Sequence, residues 1–383
     1  MSEKSKIDGK SLLVALICVL IFFIGAFYIR STNKEETIEA EDYAEYENGK
    51  VIAVLSDNTI IDEQSDNAYR GEQLLTVKIT TGQYKGQEML TYNYIGPLYG
   101  IPLEAGDGVT VIISTFSDGR LSCTVYEYNH IPGLLILVAL FAIATVLIGG
   151  KNGARSLISL VFTLLCIFFI LIPALLRGAP TISLTFLICV LISAFSFTVN
   201  SGFGKKTVCA FLGTIAGVGL ALLFAFFAQW LLRVDGLRLE QIEALLQLRR
   251  TTGIAIGLRG LLSASIVIST LGAEMDVAMG LASAISEVHD ANDKLSLKEL
   301  FISGTNIGKD MVGTMTSTLI LAFLGSSFIL MMYLYSMNLG KYQLLSSAFI
   351  STEVISALAC SVGVILSIPI TNYITAKAFA PKE

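Results

Sequence analysis

The sequence predicts a mainly α-helical, polytopic membrane protein with about eight transmembrane helices and a small extracytoplasmic all-β domain of the OB-like type. Of 383 residues, 54% are hydrophobic and 15% are charged, and mean hydropathy is +0.70. Soluble domains carry about 25% charged residues. One polar stretch, residues 30–130, instead alternates β-branched and aromatic runs with turn residues. The net charge of -5 and the lack of a dense basic run argue against a nucleic-acid partner.

The first apolar run is "SLLVALICVLIFFIGAFYI", residues 11–29, which follows a short polar segment with three lysines. A signal peptide is one interpretation of this pattern. No small-residue cleavage site follows, however, because the run ends in the bulky residues "FYI". We therefore predict that residues 1–30 form a cytoplasmic N-terminus and an uncleaved signal-anchor helix.

Residues 31–130 are predicted to form an extracytoplasmic linker and a small β-barrel. The acidic stretch "KEETIEAEDYAEYE" (34–47) is typical of a solvated linker, with cation capture as the alternative. Five strand-like runs follow, separated by turn signals such as "EAGDG" and "SDGR". They are "KVIAVL", "LLTVKIT", "EMLTYNYI", "GVTVIIS" and "LSCTVYEY". Because these runs lack a basic face, we interpret the barrel as a structural or protein-contact module.

Residues 131–383 are predicted to form a seven-helix transmembrane domain. Each apolar run is long enough to cross a hydrocarbon core of about 30 Å. The runs are residues 131–148, 156–176, 181–199, 207–232, about 256–278, 311–335 and 345–374. Between two of them, "LRLEQIEALLQL" (237–248) has helical periodicity and is expected to lie along the outer membrane surface.

Lysine and arginine residues near the span ends predict the orientation. With the N-terminus inside, twelve lie in inner segments and six in short outer loops, four of the six within residues 233–250. This bias predicts a multi-pass protein of the cell membrane with cytoplasmic N- and C-termini.

Cysteine and histidine usage argues against a metal site or a cofactor. Five of the six cysteines lie in apolar runs, and only Cys123 lies in the polar region. There are two histidines and no paired Cys/His spacing of the kind that binds zinc. Since no nucleophile–base–orienter set is visible and no Gly-Lys pair completes a phosphate-binding loop, we do not expect an enzyme.

The stretch "GAEMDVAMGLASAISEVHD" (272–290) carries several carboxylates in an apolar chain. In a helix, Asp276, Ser283 and Glu287 fall on one stripe, beside an apolar stripe that includes Val277 and Leu281. If the span begins near the outer surface at about residue 259, Asp276 lies about 26 Å along it, near the inner edge. A kink or a re-entrant segment in this stretch is an open alternative.

Three further polar positions are candidates for an ion or substrate pathway. Asp310 and Thr314 fall at the predicted start of the seventh span, and Asn306 lies one turn earlier. Glu353 is predicted to lie about 12 Å into the last span, where an isolated carboxylate is costly. Arg259 is a candidate counter-charge.

Two interpretations of these residues stay open. In the functional one, Asp276, Asp310 and Glu353 bind a cation or carry protons through a polar cavity. In the structural one, they cap helices and form hydrogen bonds between helices. Small-residue motifs such as Gly213-x-x-x-Gly217 predict close helix packing.

Several long motifs resemble the YibE/F-like family of bacterial integral membrane proteins. They are "LGAEMDVAMGLASAISEV", "SGTNIGKDMVGTMTSTLILAFLG", "IPIT", "GGKNGARSLISL" and "LIPALLRGAP". The resemblance covers about residues 131–375, and the N-terminal anchor and β module resemble the longer, YibE-type members.

The resemblance implies a multi-span protein with a partner subunit of related sequence. Asp276, Glu287, Asp310 and Glu353 stand where the family pattern has acids. Glu274 departs from that pattern, because an apolar residue is more usual there, which weakens any shared role for it.

We therefore expect a transporter or permease component in the lipid bilayer, in which carboxylates couple ion or proton movement to that of a small solute. The alternative is a non-transporting envelope scaffold or signalling protein that recognises a partner through its β-domain.

Overall fold

The computed structural model describes residues 9–31, 43–116, 120–237, 242–253 and 257–381. The chain divides into two compact units. One comprises Met1–Asn33 with Thr145–Glu383 and is helical, and the other, Lys34–Ala144, contains a small closed β-barrel. Long apolar helices together with a small barrel confirm the predicted fold class.

The barrel is a closed five-stranded sheet with one short extra strand. Strand β1 pairs with both β3 and β5, and a parallel pairing of β4 with β6 at Tyr92 and Thr124 completes the circle. The strands are β1 (Tyr43–Asp57), β2 (Ile60–Asp62), β3 (Ala68–Ile79), β4 (Glu88–Ile95), β5 (Gly108–Thr115) and β6 (Leu121–Tyr128).

Every second side chain along the strands points into the barrel core. Leu75, Val77 and Ile79 are at most 1% exposed, whereas the residues between them are not buried, as the two-residue period of a strand requires. All five predicted runs lie in strands. The linker prediction was wrong for residues 43–47, because β1 already pairs with β5 there. Residues 34–42 of that linker lie outside the described part of the chain.

The helices carry most of the chain. They are α1 (Gly9–Ser31), α2 (Ile131–Cys166), α3 (Ile172–Leu176), α4 (Thr181–Ser201), α5 (Lys205–Leu232), α6 (Ile242–Thr252), α7 (Leu261–Ala291), α8 (Leu297–Ser326), α9 (Phe328–Ser336), α10 (Lys341–Leu345) and α11 (Ala348–Phe379).

Among the described residues, seven helical segments are long and apolar enough to cross a membrane. One of them, Ile131–Leu176, has 46 residues and would extend about 69 Å, twice the thickness of a bilayer core. Its helical path breaks at Gly150, where φ is 54° and ψ is -131°. This break separates the two spans predicted at 131–148 and 156–176.

Helices α5, α7 and α11 form the centre of the helical unit, with α4 and α8 packed beside them. Glycines allow the close approaches: Gly213 faces Thr371 of α11, and Gly308 faces Ile368. A side chain at either glycine would overlap its neighbour. Both Gly213-x-x-x-Gly217 and Gly304-x-x-x-Gly308 therefore pack closely, as predicted.

Helix α8 starts much earlier than the predicted seventh span. A capping box begins the helix: the Ser296 hydroxyl accepts from Glu299 N, and Glu299 Oε2 accepts from Ser296 N at 2.8 Å. Asp310 is therefore the 14th of 30 residues in α8 rather than the start of a span. The S-x-x-E sequence at Ser296–Glu299 is typical of a helix start, whereas the predicted span was based on the apolar run alone.

Helix α7 is continuous through Gly272, so the alternative of a kink or a re-entrant segment at residues 272–290 was wrong. Helix α6 covers residues 242–248 of the amphipathic stretch predicted at 237–248, and residues 238–241 lie outside the described part of the chain.

Candidate functional site: a buried carboxylate between α5, α7 and α11

The central feature of the helical unit is the carboxylate of Glu274. On α7 it lies four residues after Thr270 and three before Val277, and Leu281 follows after four more. These side chains share one helix face, and all four are 0% exposed. Glu274 therefore points into the interface with α5 and α11 rather than toward lipid or water.

Two glycines make room for this carboxylate. A Cβ atom at Gly217 of α5 would overlap Glu274 Oε2, and one at Gly363 of α11 would lie 3.0 Å from Oε1. Any larger residue at Gly217 would have to displace a side chain that is itself enclosed. The three helices thus form a pocket that fits the Glu274 carboxylate and little else.

The carboxylate oxygens of Glu274 have no partners among the described residues. Both are buried, neither forms a hydrogen bond, and no lysine or arginine forms an ion pair with them. Ser367 lies beside the carboxyl, but its hydroxyl donates to Val364 O at 2.9 Å. Buried polar atoms are normally paired, and an unpaired buried charge costs several kcal/mol. The site therefore favours a protonated carboxyl or a carboxylate with a bound cation.

A column of hydroxyl groups extends from Glu274 along α11. Ser367, Thr371 and Thr375 lie one helical turn apart and are all 0% exposed. The Thr371 hydroxyl has no hydrogen-bond partner, whereas Thr375 donates to Thr371 O at 2.7 Å. The column runs toward the end of the bundle where Lys205 Nζ lies 5.9 Å from the Phe379 ring.

Asn372 extends the buried polar region toward α8. Its Nδ2 donates to Phe301 O at 2.9 Å and to Thr305 Oγ1 at 3.0 Å. Its Oδ1 atom is buried without a partner and faces Gly304. Unpaired polar atoms thus occur on three neighbouring residues of this interface, Glu274, Thr371 and Asn372.

Asp276 lies on the opposite side of α7, about 200° around the helix from Glu274. It lines a partly open cavity of about 350 Å³ between α2, α4 and α7. Most of its lining is apolar, and the other polar groups in it are on Ser156, Ser159, Thr163, Ser196 and Asn200. Helix α7 therefore carries one carboxylate in a sealed interface and another at an accessible, mostly apolar cavity.

The structure does not bring the predicted carboxylates together. Glu353 is the sixth residue of α11, about 8 Å along the helix from its start, compared with about 12 Å from the start of the predicted span. It is half-buried, accepts a 2.6 Å hydrogen bond from the Ser327 hydroxyl, and lines a separate cavity of about 160 Å³. Arg259 lines another cavity, of about 730 Å³, and forms no ion pair with Asp276, Asp310 or Glu353 in the described part of the chain.

The remaining predicted residues lie on outward-facing sides of α7 and α8. Asn306, Asp310 and Thr314 are exposed on α8. On α7, Glu287 is exposed and Ser283 is half-buried, on the same stripe as Asp276. Their proposed role in a pathway stays a prediction.

Sequence reasoning set Glu274 aside, because it lies off the Asp276 stripe and departs from the family pattern. The sequence nevertheless contains a pattern that predicts the burial of Glu274. Glu274 continues the apolar stripe of Val277 and Leu281 at helical spacing, and an acid on the apolar stripe of a buried helix cannot face solvent.

Comparison with known proteins agrees with the resemblance in the motifs. The family model described as "YibE/F-like protein" matches residues 137–381, which include α4 to α11 and most of α2. No curated protein and no solved structure matches the chain. The match covers more than half of the chain, and the apolar helices identify a multi-pass membrane protein. The chain therefore belongs to the YibE/F-like family.

Proposed function

We propose that the protein is a transporter or permease component in which Glu274 binds and releases a proton or a monovalent cation. The observation that carries the proposal is the enclosed carboxylate, whose two oxygens have no hydrogen-bond partner within the described residues. Burying an ionisable group inside a membrane protein costs free energy, and such groups mark ion or proton pathways. A residue that only held helices together would have its hydrogen bonds satisfied.

The hydroxyl column supplies the route to this carboxylate. Ser367, Thr371 and Thr375 provide polar groups at each turn between Glu274 and the end of the bundle near Lys205. Adjacent turns are about 5.4 Å apart and the interface is closely packed, so protons would pass only when the helices separate enough to admit water. The unpaired Thr371 hydroxyl supplies one group to which such a water can bind.

Coupling to a solute would act through α7. The cavity beside Asp276 is mostly apolar with a few polar groups, which suits a small amphipathic solute, and the Asp276 carboxylate favours a positively charged group on it. Glu274 and Asp276 are two residues apart on one rigid helix. A shift of α7 when Glu274 changes its charge therefore also moves the wall of the solute cavity.

We further propose a cell-membrane location with both termini in the cytoplasm and the barrel outside. Lysines at the inner segment ends support this orientation. The proposal assigns the protein no catalytic chemistry.

The test compares Glu274→Gln with Asp290→Asn, a matched carboxyl-to-amide change at an exposed acid on the same helix that has no proposed role in the pathway. Each protein is reconstituted in vesicles that contain a pH-sensitive dye, and a potassium diffusion potential drives proton entry. Labelled Na⁺ uptake is measured in parallel. We expect Glu274→Gln to reduce the active flux to that of empty vesicles and Asp290→Asn to retain it.

Infrared difference spectra test the site without a solute. A carboxylic-acid C=O band that changes with pH should disappear in Glu274→Gln only. Unchanged fluxes of both ions, together with an unchanged band, would exclude Glu274 as the ion-binding group.

A scaffold or signalling role is the second candidate, and one feature of the barrel favours it. Tyrosine rings are exposed on its surface in two pairs, Tyr46 with Tyr126 at 5.2 Å and Tyr92 with Tyr94 at 6.0 Å between ring centroids. Exposed aromatic residues are enriched at protein interfaces. If Glu274→Gln fully replaced the native protein in cells while Tyr92→Ala/Tyr94→Ala did not, this role would be preferred.

A further inference from the structure

Helix α8 presents a polar face to the outside of the helical unit. Asn306, Asp310, Gly313 and Ser317 are exposed and follow one another at spacings of four, three and four residues, which places them on one stripe. Lys309 is exposed beside them. We call these five residues the α8 outer face.

The α8 outer face lies near the centre of the bilayer, where contact between charged side chains and lipid is unfavourable. Helix α8 has 30 residues and is about 45 Å long, so a core of about 30 Å leaves about 7 Å outside at each end. Asp310 is the 14th residue, about 20 Å from the helix start. Gly308, two residues before Asp310, contacts Ile368, which is the 21st of the 32 residues of α11 and about 16 Å from its end, so this part of α8 packs well inside the bundle.

Charged groups at that depth face protein or water rather than hydrocarbon. Helices α7 and α11 already cover the opposite side of α8, where Gly304 and Gly308 are buried. The α8 outer face is therefore incomplete in the single chain.

We propose that a second copy of this chain covers the α8 outer face, related by a two-fold axis along the membrane normal. Asn306, Gly313 and Ser317 form the centre line of the face, and such small or polar residues let two helix backbones approach and form hydrogen bonds. Lys309 and Asp310 lie about 100° apart, one on each side of that line.

The two-fold operation makes this charge pattern self-complementary. A residue to the left of the centre line on one helix meets a residue to the right of it on the other, because the same surface is used by both copies. Lys309 of each copy thus lies against Asp310 of the second copy, and two ion pairs form. The proposal needs only that α8 crosses the membrane, so its failure would leave the role of Glu274 untouched.

The first test exchanges charges. The oligomeric state is measured by single-molecule photobleaching of the full-length protein in vesicles. We expect the native chain to form dimers and Lys309→Asp to weaken association by about tenfold, the effect of an interhelical polar contact in membranes. The double variant Lys309→Asp/Asp310→Lys should restore the dimer, because it recreates the same pairs in reverse.

The second test is disulfide cross-linking in membranes. Gly313→Cys should cross-link to itself, whereas Leu223→Cys, also exposed but on α5, should not. The six native cysteines are free and buried, so they give little background. A monomeric native protein, equal association of the single and double charge variants, or cross-linking of Gly313→Cys only to a different protein would each overturn the proposal. An unchanged unfolding temperature of Lys309→Asp checks that the fold is intact.

Discussion

The barrel and the helical unit both bury polar side chains, but they treat them differently. In the barrel, Gln73 is 1% exposed and has every polar atom paired. Its Nε2 donates to Asp57 Oδ2 at 2.9 Å and to Leu103 O at 3.3 Å. Its Oε1 accepts from Leu103 N at 2.8 Å and from Asn93 Nδ2 at 3.0 Å. The amide joins β3 to β4 and to the loop before β5.

Glu274 in the helical unit is equally buried, and its carboxyl oxygens have no such partners in the part of the chain that the structure describes. A buried polar group with all its hydrogen bonds formed stabilises one conformation. A buried polar group without hydrogen bonds destabilises the fold, so its presence calls for a role other than stability. The buried amide of Gln73 joins strands of the barrel, whereas the role that we propose for Glu274 is ion binding.

Replacing Glu274 and Gln73 by leucine, each in a separate variant, tests this difference most directly. Glu274→Leu should stabilise the helical unit by about 1–4 kcal/mol, because a buried uncompensated acid is replaced by an apolar side chain. Gln73→Leu should destabilise the barrel by about 2–3 kcal/mol, since it leaves Leu103 N and the Asn93 amide unpaired.

Thermal unfolding in detergent measures the first change and hydrogen exchange of the barrel amides measures the second. Loss of stability in Glu274→Leu comparable with that in Gln73→Leu would mean that Glu274 is also architectural.

Changing the glycine that accommodates the carboxylate should have a somewhat smaller effect. Gly217→Ala should destabilise the helical unit by about 1–3 kcal/mol, because the new methyl group overlaps Glu274 Oε2 in a packed interface. Gly219→Ala is the control, since nothing lies within 4 Å of its added methyl group.

Combining Gly217→Ala with Glu274→Ala should recover most of the loss, because the overlapping carboxyl is removed. Additive effects in this double-mutant cycle would contradict the direct contact.

The smallest expected effect concerns the negative charge of Asp57, the barrel residue that accepts a hydrogen bond from Gln73. Hydrogen bonds from the Thr59 hydroxyl, then from Gln73 and Thr59 N, lower the pKa of Asp57. A lowered pKa in the folded state adds stability above the unfolded pKa of about 3.9. That stability is lost as the pH falls through the folded pKa.

Asp57→Asn should therefore reduce barrel protection modestly at neutral pH and leave it unchanged at strongly acidic pH. Hydrogen exchange of the barrel amides at both pH values measures the difference. An equal loss at both would show that the hydrogen-bond geometry matters and the charge does not.

Local sequence patterns predicted most of the fold because they reflect local requirements. The five barrel runs became strands because alternating β-branched residues bury one side of a strand. The long apolar runs became helices because a lipid environment requires internal backbone hydrogen bonding. The start of α8 differs from the prediction because the Ser296–Glu299 capping box begins the helix in polar sequence, before the apolar run that predicted the span.

The candidate site was less predictable, because several carboxylates satisfied the same sequence criteria. Glu353 looked deepest from its distance to the start of the last apolar run, yet the helix begins later and Ser327 pairs with it. Asp310 looked like part of an internal cavity, yet it lies on an outward face of α8.

The sequence by itself determined that the chain is a multi-pass helical protein with a small barrel, and its motifs identified the family. Helical spacing also determined that Asp276 and Glu274 lie on opposite sides of α7. Only the tertiary structure decided which side is sealed. Gly217 and Gly363 enclose Glu274 from helices that are distant in sequence, and burial depends on those packed neighbours rather than on the residue's own segment.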